Sequence, residues 1–186
     1  MKLDIECYAR AWEFVTLRHM GQTYGGRQQD QQIPYINHLA SVAAEVTWGI
    51  DSEPGWDANL AVQCALLHDV IEDTATSFDE VRDIFGLAVA DGVQALTKSA
   101  LIASRDTQMD DSLRRIQFQP KEIWAVKLAD RITNLYHPPF YWTADKIDRY
   151  KLESHTILAA LGQANAKLAD RLAEKITEYG RGQPAT

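Results

Sequence analysis

The chain has 186 residues, of which 46% are hydrophobic and 24% charged, a composition that suits one globular domain with a real core and excludes disordered, collagen-like and low-complexity classes. Nineteen Lys and Arg against 26 Asp and Glu leave a formal net charge of −7, so no basic field exists for a nucleic-acid backbone or an anionic membrane, and any anionic ligand must be met locally. No apolar run reaches the roughly 18 residues of a membrane span, and Asp4 and Glu6 interrupt the stretch a signal peptide would need; with only Cys7 and Cys64, this predicts a cytoplasmic protein without a structural disulfide.

Helical spacing recurs along the chain and the strict alternation of a half-buried strand does not, which predicts an all-α fold, a single compact helical bundle over residues 1–180 with a flexible tail at 181–186. A first helix runs from about Asp4 to His19, with Ile5, Tyr8, Ala9, Trp12, Val15 and Thr16 on one face and Gly21 as its stop. His19 is placed to order the loop that follows, Gln22 to Gln32, and Pro34 opens a helix from Tyr35 to about Trp48. Asp57 is a natural N-cap for a helix from Ala58 to about Asp73, and Ser77 with Glu80 has capping-box spacing for a short helix ending at Gly86. Further helices span Leu87 to Lys98, about Asp110 to Gln117, and Lys121 to Tyr136, the last stopped by Pro138 and Pro139. The least periodic piece, Ser99 to Asp111, reads as a mobile loop with the position of a lid. Two amphipathic helices, about Thr143 to Leu161 and Gln163 to Tyr179, close the chain. The pentapeptide Lys-Leu-Ala-Asp-Arg occurs at 127–131 and again at 167–171, but the flanks differ. The second copy reads as an ordinary surface helix, with Leu168, Leu172 and Ile176 opposite Lys167, Arg171 and Glu174.

The segment Asn59 to Asp73, NLAVQCALLHDVIED, is apolar around nearly its whole circumference, so it should be buried on all sides. Yet it carries His68, Asp69, Glu72 and Asp73, and desolvated carboxylates are strongly unfavourable unless paired or coordinated. His68 to Glu72 and Asp69 to Asp73 are i,i+4, so the four side chains leave one end and side of the helix. Two readings stand: the acids mark the helix emerging into water, or they hold a cation. Acids at a helix C-terminus oppose the macrodipole, which weighs against the first. A second apolar helix, with Trp124, Ala125, Val126, Leu128, Ala129, Ile132 and Leu135, encloses Asp130 with Asn134 one turn on, and His38 sits among Ile36, Leu39, Val42 and Ala43. A lone His on an apolar face is usually a core residue, but three apolar helices each presenting a ligand-type side chain favour the cation. His38, His68, Asp69 and Asp130 would suit Mn²⁺, Fe²⁺ or Zn²⁺ with positions left for water and substrate.

The order of these residues, His38, then His68-Asp69, then Asp130, resembles the H…HD…D pattern of the HD superfamily of metal-dependent phosphohydrolases. More narrowly, Pro34-Tyr35-Ile36-Asn37-His38, the run Ala65 to Thr74 (ALLHDVIEDT), Phe85-Gly86, Leu96-Thr97-Lys98 and the run Val126 to Asn134 (VKLADRITN) resemble the hydrolase domain of the RelA/SpoT family over about residues 8–136. The last two helices are similar to the ending of its stand-alone small alarmone hydrolases. The resemblance implies an HD-type helical domain and Mn²⁺-dependent hydrolysis of the 3′-pyrophosphate of (p)ppGpp to GDP or GTP plus pyrophosphate, with Fe²⁺ or Zn²⁺ as alternative ions and no synthetase activity. It implies metal binding by His38, His68, Asp69 and Asp130, water activation by Glu72 and Asp73, and contact of Asn134 with the nucleoside. Charge on the departing pyrophosphate needs local cations, for which Lys98, Arg114 and Lys127 are candidates, each alternatively an ordinary surface charge.

The chain departs from the family where an Arg-Lys pair commonly follows Gly21-Gln22: it has Tyr24-Gly25, with Arg27 beyond. A Tyr ring stacks on any purine, so adenine alarmones of the (p)ppApp class are expected alongside or instead of guanine ones, with Tyr24 and Arg27 as substrate contacts. His137 stands where the family often has a Thr, either as a phosphate contact or merely before Pro138. Expected partners are a small-molecule nucleotide and a second copy in a homo-oligomer, with no nucleic acid and no membrane. Two rival functions remain: another HD-type nucleotide phosphohydrolase, a 5′-nucleotidase or NADPH 2′-phosphatase, and a binding module that holds an alarmone without cleaving it.

Overall fold

Side-chain caps set where several of the helices begin. In the computed structural model, which describes residues 3–26, 28–51, 53–99, 101–102 and 104–181, Asp4 Oδ1 accepts from Glu6 N at 2.9 Å and opens α1, Ile5–Arg18. Asp57 Oδ1 takes the amides of Asn59 and Leu60 to start α3, Ala58–Leu67, and Ser77 Oγ takes that of Glu80 to start α5, Phe78–Phe85. Each cap satisfies amides that the first helical turn leaves without a partner. The other helices are α2, Ile36–Ile50; α4, Val70–Asp73; α6, Leu87–Leu96; α7, Arg105–Gln117; α8, Lys121–Asn134; α9, Ala144–Leu161; and α10, Ala166–Glu178, which a 3-10 turn at Gly162–Ala164 joins to α9. The fold is all-α apart from a two-stranded antiparallel hairpin, β1 (Thr23–Gly25) with β2 (Gln32–Pro34), in which Tyr24 faces Ile33.

The core runs continuously from Ala11 to Tyr179. At its centre α3 packs against α1, α2, α6 and α8, and every residue from Ala61 to Leu67 is buried, as its all-round apolar character requires. Gly92 lets α6 approach this centre: a Cβ there would lie 2.6 Å from Ile123 Cδ1 and 2.9 Å from Cys64 Sγ. Among the described residues no helix is long and apolar enough to cross a membrane.

Three segments differ from the sequence expectation. The helix expected through Asp73 breaks at His68 and Asp69 into α3 and α4, because the His68 ring folds back so that Nδ1 meets Ala65 O at 2.8 Å. The loop expected at 22–32 is instead largely part of the hairpin, which runs on to Pro34 and whose three-residue strands are too short to display an alternation. Half of the loop expected at 99–111 is helix: α7 starts at Arg105, after a turn that Gln108 closes by donating Nε2 to Ile102 O at 2.6 Å and Ser99 O at 3.3 Å. Arg115 then sews α7 to the end of α6, reaching Gln94 O, Ala95 O and Thr97 O at 2.6–3.0 Å. Ala100 and Ala103 of that segment, and residues 182–186 of the expected tail, lie outside the described residues.

Candidate active site

α2, the α3–α4 break and α8 bring His38, His68, Asp69 and Asp130 to one point. The two Nε2 atoms are 3.3 Å apart; Asp130 Oδ1 lies 3.5 Å from His38 Nε2 and 3.8 Å from His68 Nε2, and Asp69 Oδ2 lies 2.9 Å from His68 Nε2 and 3.8 Å from His38 Nε2. Single ligand atoms of His38, His68 and Asp130, all buried, fall within 4.8 Å of one another. Separations of this size are what bonds of about 2.0–2.2 Å to one shared ion leave between its ligands.

The donor set also has the right chemistry. His68 Nδ1 donates to Ala65 O. Thr133 Oγ1 donates to Asp130 O at 2.8 Å, so its lone pair receives His38 Nδ1–H at 3.2 Å. Both rings therefore commit Nδ1 to an outer partner and turn Nε2 toward the carboxylates, the orientation that outer hydrogen bonds commonly fix in metal-binding histidines. Burial alone would raise the Asp130 carboxyl, but the Lys127 ammonium, a hydrogen bond from His38 and the imidazole charges hold it well below the usual carboxylate range. Asp69 is likewise held down against burial by His68 and His38. Burial would depress His68, and the two carboxylates instead push it up to about 9. The cluster thus attracts positive charge to its centre and fits a divalent cation held by these four side chains.

The surrounding contacts fix these side chains. Asp130 accepts Lys127 Nζ at 2.9 Å on Oδ2 and Asn134 Nδ2 at 2.6 Å on Oδ1, and Asp69 Oδ2 accepts the hydroxyl of Tyr35. Tyr35 stacks on the buried ring of His19, whose Nδ1 meets Gln22 Oε1 at 2.7 Å, while Gln22 Nε2 donates to Asp73 O at 2.8 Å. The end of α1 and the start of the hairpin are therefore tied to α4.

A cavity of about 770 Å³ opens over the cluster, bordered by Glu72 and Asp73 on one side and by α7 and α9 on the others. The two acids differ. Glu72 is engaged, taking Lys98 N on Oε2 and Lys98 Nζ on Oε1, both at 2.9 Å. The Asp73 carboxylate makes no hydrogen bond or ion pair among the described residues, and partial burial with the charges of Asp69 and Glu72 raises its proton affinity. Of the pair, Asp73 is the open group.

The structure sorts the other sequence candidates. Lys98 borders the cavity and stays charged, because its bond to Glu72 outweighs burial. Lys127 also borders it, yet it is buried and paired with Asp130, which corrects the alternative of an ordinary surface charge. Leu113 and Ile116 turn inward on α7, so Arg114 is exposed and outside the cavity lining, where Gln108, Met109 and Asp110 stand instead. Arg27 lies outside the described residues. Arg131 and Arg149 border the cavity and escaped the sequence reading. Beside the cavity, a recess of about 250 Å³ shares Tyr35, His38, Asn134 and Tyr150 with it. Tyr24, Tyr136, Trp142 and Tyr179 line this recess together with His137. Tyr24 is fixed there by Asn37 Nδ2, which donates to its hydroxyl at 2.6 Å, and by edge contact with Tyr35.

The sequence matches the HD domain family over residues 11–172. It is 33% identical over 174 residues to the guanosine-3′,5′-bis(diphosphate) 3′-pyrophosphohydrolase MESH1 of Danio rerio, covering 90% of this chain and 91% of that one. It is 29% identical to the MESH1 of Drosophila melanogaster, covering 90% and 92%. A solved structure of a metazoan ortholog of SpoT, described as hydrolysing ppGpp, superposes with a TM-score of 0.79 at 24% identity over 99% of this chain and 100% of that one. The HD dyad at residues 68–69, the convergent His38 and Asp130, and these end-to-end similarities agree: the chain belongs to the HD domain family, beside the MESH1-type pyrophosphohydrolases.

Proposed function

We propose that this protein hydrolyses the 3′-pyrophosphate of guanosine-3′,5′-bis(diphosphate) and related alarmones, releasing pyrophosphate and the nucleoside 5′-di- or triphosphate. The observation that carries this reading is an open carboxylate, Asp73, in the same cavity as a four-donor cluster suited to one cation. His38, His68, Asp69 and Asp130 would hold that ion; a mixed imidazole and carboxylate set suits Mn²⁺, Fe²⁺ or Zn²⁺, and Mn²⁺ is our choice because the chain resembles the RelA/SpoT hydrolase domain. A divalent cation bound there supplies Lewis acidity to the 3′-phosphate and lowers the pKa of the attacking water. Asp73 takes the proton from that water. Lys98, anchored on Glu72, faces the reacting phosphates, and Lys127 maintains the charge of Asp130 rather than meeting substrate. The aromatic recess receives the nucleoside beside Asn134, with the base against Tyr24. A neutral ring stacks on either purine, so adenine alarmones are accepted as well as guanine ones.

The test is direct. Metal-stripped protein is incubated with ppGpp and ppApp, with and without Mn²⁺, and products are resolved by ion exchange, with Asp73→Asn and Tyr24→Ala in parallel. Pyrophosphate release that needs both metal and Asp73, from both nucleotides, is expected. Strict guanine preference unaffected by Tyr24→Ala would remove the adenine extension. Intact alarmones alongside phosphate release from NADPH would replace the reading with a 2′-phosphatase.

A further inference from the structure

Among the described residues four cations border the main cavity, against six acids: Asp69, Glu72, Asp73, Asp110, Asp130 and Glu153. Most of the positive charge is already committed. Lys98 is bound to Glu72 at 2.9 Å and Lys127 to Asp130 at 2.9 Å. Arg131, buried on α8, reaches Glu153 Oε2 at 3.6 Å and Ser154 Oγ at 3.4 Å, and its guanidinium lies 4.1 Å from the centre of the Tyr150 ring. Its buried Nε–H has no acceptor among the described residues. Arg149, exposed on α9 at the cavity edge, makes no hydrogen bond or ion pair among the described residues. One wall of the cavity, the α8–α9 side on either side of Tyr150, therefore offers an unneutralised guanidinium backed by a second with a donor to spare.

A nucleotide phosphorylated at both C3′ and C5′ needs two anion sites, because the two carbons direct their phosphates to different sides of the ribose. The His–Asp cluster with Lys98 takes the end that is cleaved. Tyr150, which lines both the recess and the cavity, lies between a base held in the recess and the Arg149 wall. We infer that Arg149 is the specificity-determining contact for the 5′-phosphates, the substrate end that does not react, so that the protein senses how many phosphates that end carries. This rests on the alarmone reading above. A planar fork meets a phosphate through two charge-assisted hydrogen bonds, which a lysine does not reproduce.

The test crosses the residue with the substrate group. Wild type, Arg149→Ala and Arg149→Lys are assayed, with Mn²⁺, on ppGpp and on guanosine 3′-diphosphate, which has a free 5′-hydroxyl. Arg149→Ala should raise KM for ppGpp about tenfold with kcat within about twofold, and should leave guanosine 3′-diphosphate unchanged within about twofold. Arg149→Lys should recover part of the loss on ppGpp alone. An equal change on both substrates, or none on either, would overturn the assignment. If the wild type cleaves neither, the alarmone reading itself fails and the subsite falls with it, an outcome visible before any variant is made.

Discussion

The same five residues, Lys-Leu-Ala-Asp-Arg, stand in two helices of this molecule and do different things in each. In α8, Trp124, Ala125, Val126, Leu128, Ala129 and Ile132 are all buried, so the helix is sheathed on most sides and Asp130 is carried inside, where it meets two imidazoles and Lys127. In α10 only the stripe Leu168, Leu172 and Ile176 is buried, and Asp170 points to water. The leucine is fully buried in both copies. The difference lies in the flanks: depth of burial, set by residues outside the repeated string, converts a surface acid into one that demands a cation.

Nor is the second copy the ordinary surface helix expected from its stripe. Arg171 grips the buried Glu45 of α2 with both forks, Nε and one Nη each at 2.6 Å, and Tyr136 donates its hydroxyl to the same carboxylate at 2.8 Å. Lys167 and Arg171 lie over Trp48. At Gly49 the two helices come so close that a Cβ would lie 2.6 Å from Leu168 Cγ. The copy in α10 is a fastener that holds α2 and the turn after α8 together, and with them Tyr136 at the recess.

This contrast can be broken at matched positions. The largest effect is expected from Asp130→Asn, which should abolish Mn²⁺ binding in titration calorimetry and reduce turnover on the order of a thousandfold or more, while Asp170→Asn leaves both unchanged. Next comes Asp73→Asn, for which kcat should fall by about 10²–10⁴-fold with Mn²⁺ affinity retained; loss of metal binding would instead make Asp73 a ligand. Arg171→Ala strands the buried Glu45 carboxylate and should cost about 2–3 kcal/mol in urea unfolding, with Glu45→Gln costing less because the guanidinium it leaves unpaired is partly in solvent. The smallest effect belongs to Lys167→Ala, within about 0.5 kcal/mol and without consequence for turnover. A drop in turnover there would show that the second copy reaches the site after all.

Much of the scaffold was legible because its signals are local. Asp57 and Ser77 announce helix starts by residue type and spacing, and the all-round apolar run of α3 announces its central place. The convergence of His38, His68, Asp69 and Asp130 was legible too, since ligand-type side chains inside apolar helices are a contradiction that sequence alone exposes. What stayed hidden depends on tertiary contacts. The break at His68 and Asp69 follows from a ring reaching back to Ala65 O, which periodicity does not register. Arg149 is one outward residue among several on α9, and nothing in its neighbourhood marks it as facing a cavity rather than bulk water. Arg114 and Arg115 are adjacent and alike in sequence; the helical phase of α7 alone makes one a free surface charge and the other a stitch to α6.

The Gln22 side chain gives the hairpin a second meaning. With its carbonyl on His19 and its amide on the backbone of Asp73, it joins the segment that carries Tyr24 to the four-residue helix that carries the open acid. On the roles proposed for Tyr24 and Asp73, base recognition and bond cleavage are thus mechanically one unit. Grafting a relative's hairpin to change purine preference would also shift Asp73, so selectivity in this scaffold can drift only along paths that keep Gln22 or rebuild its two bonds.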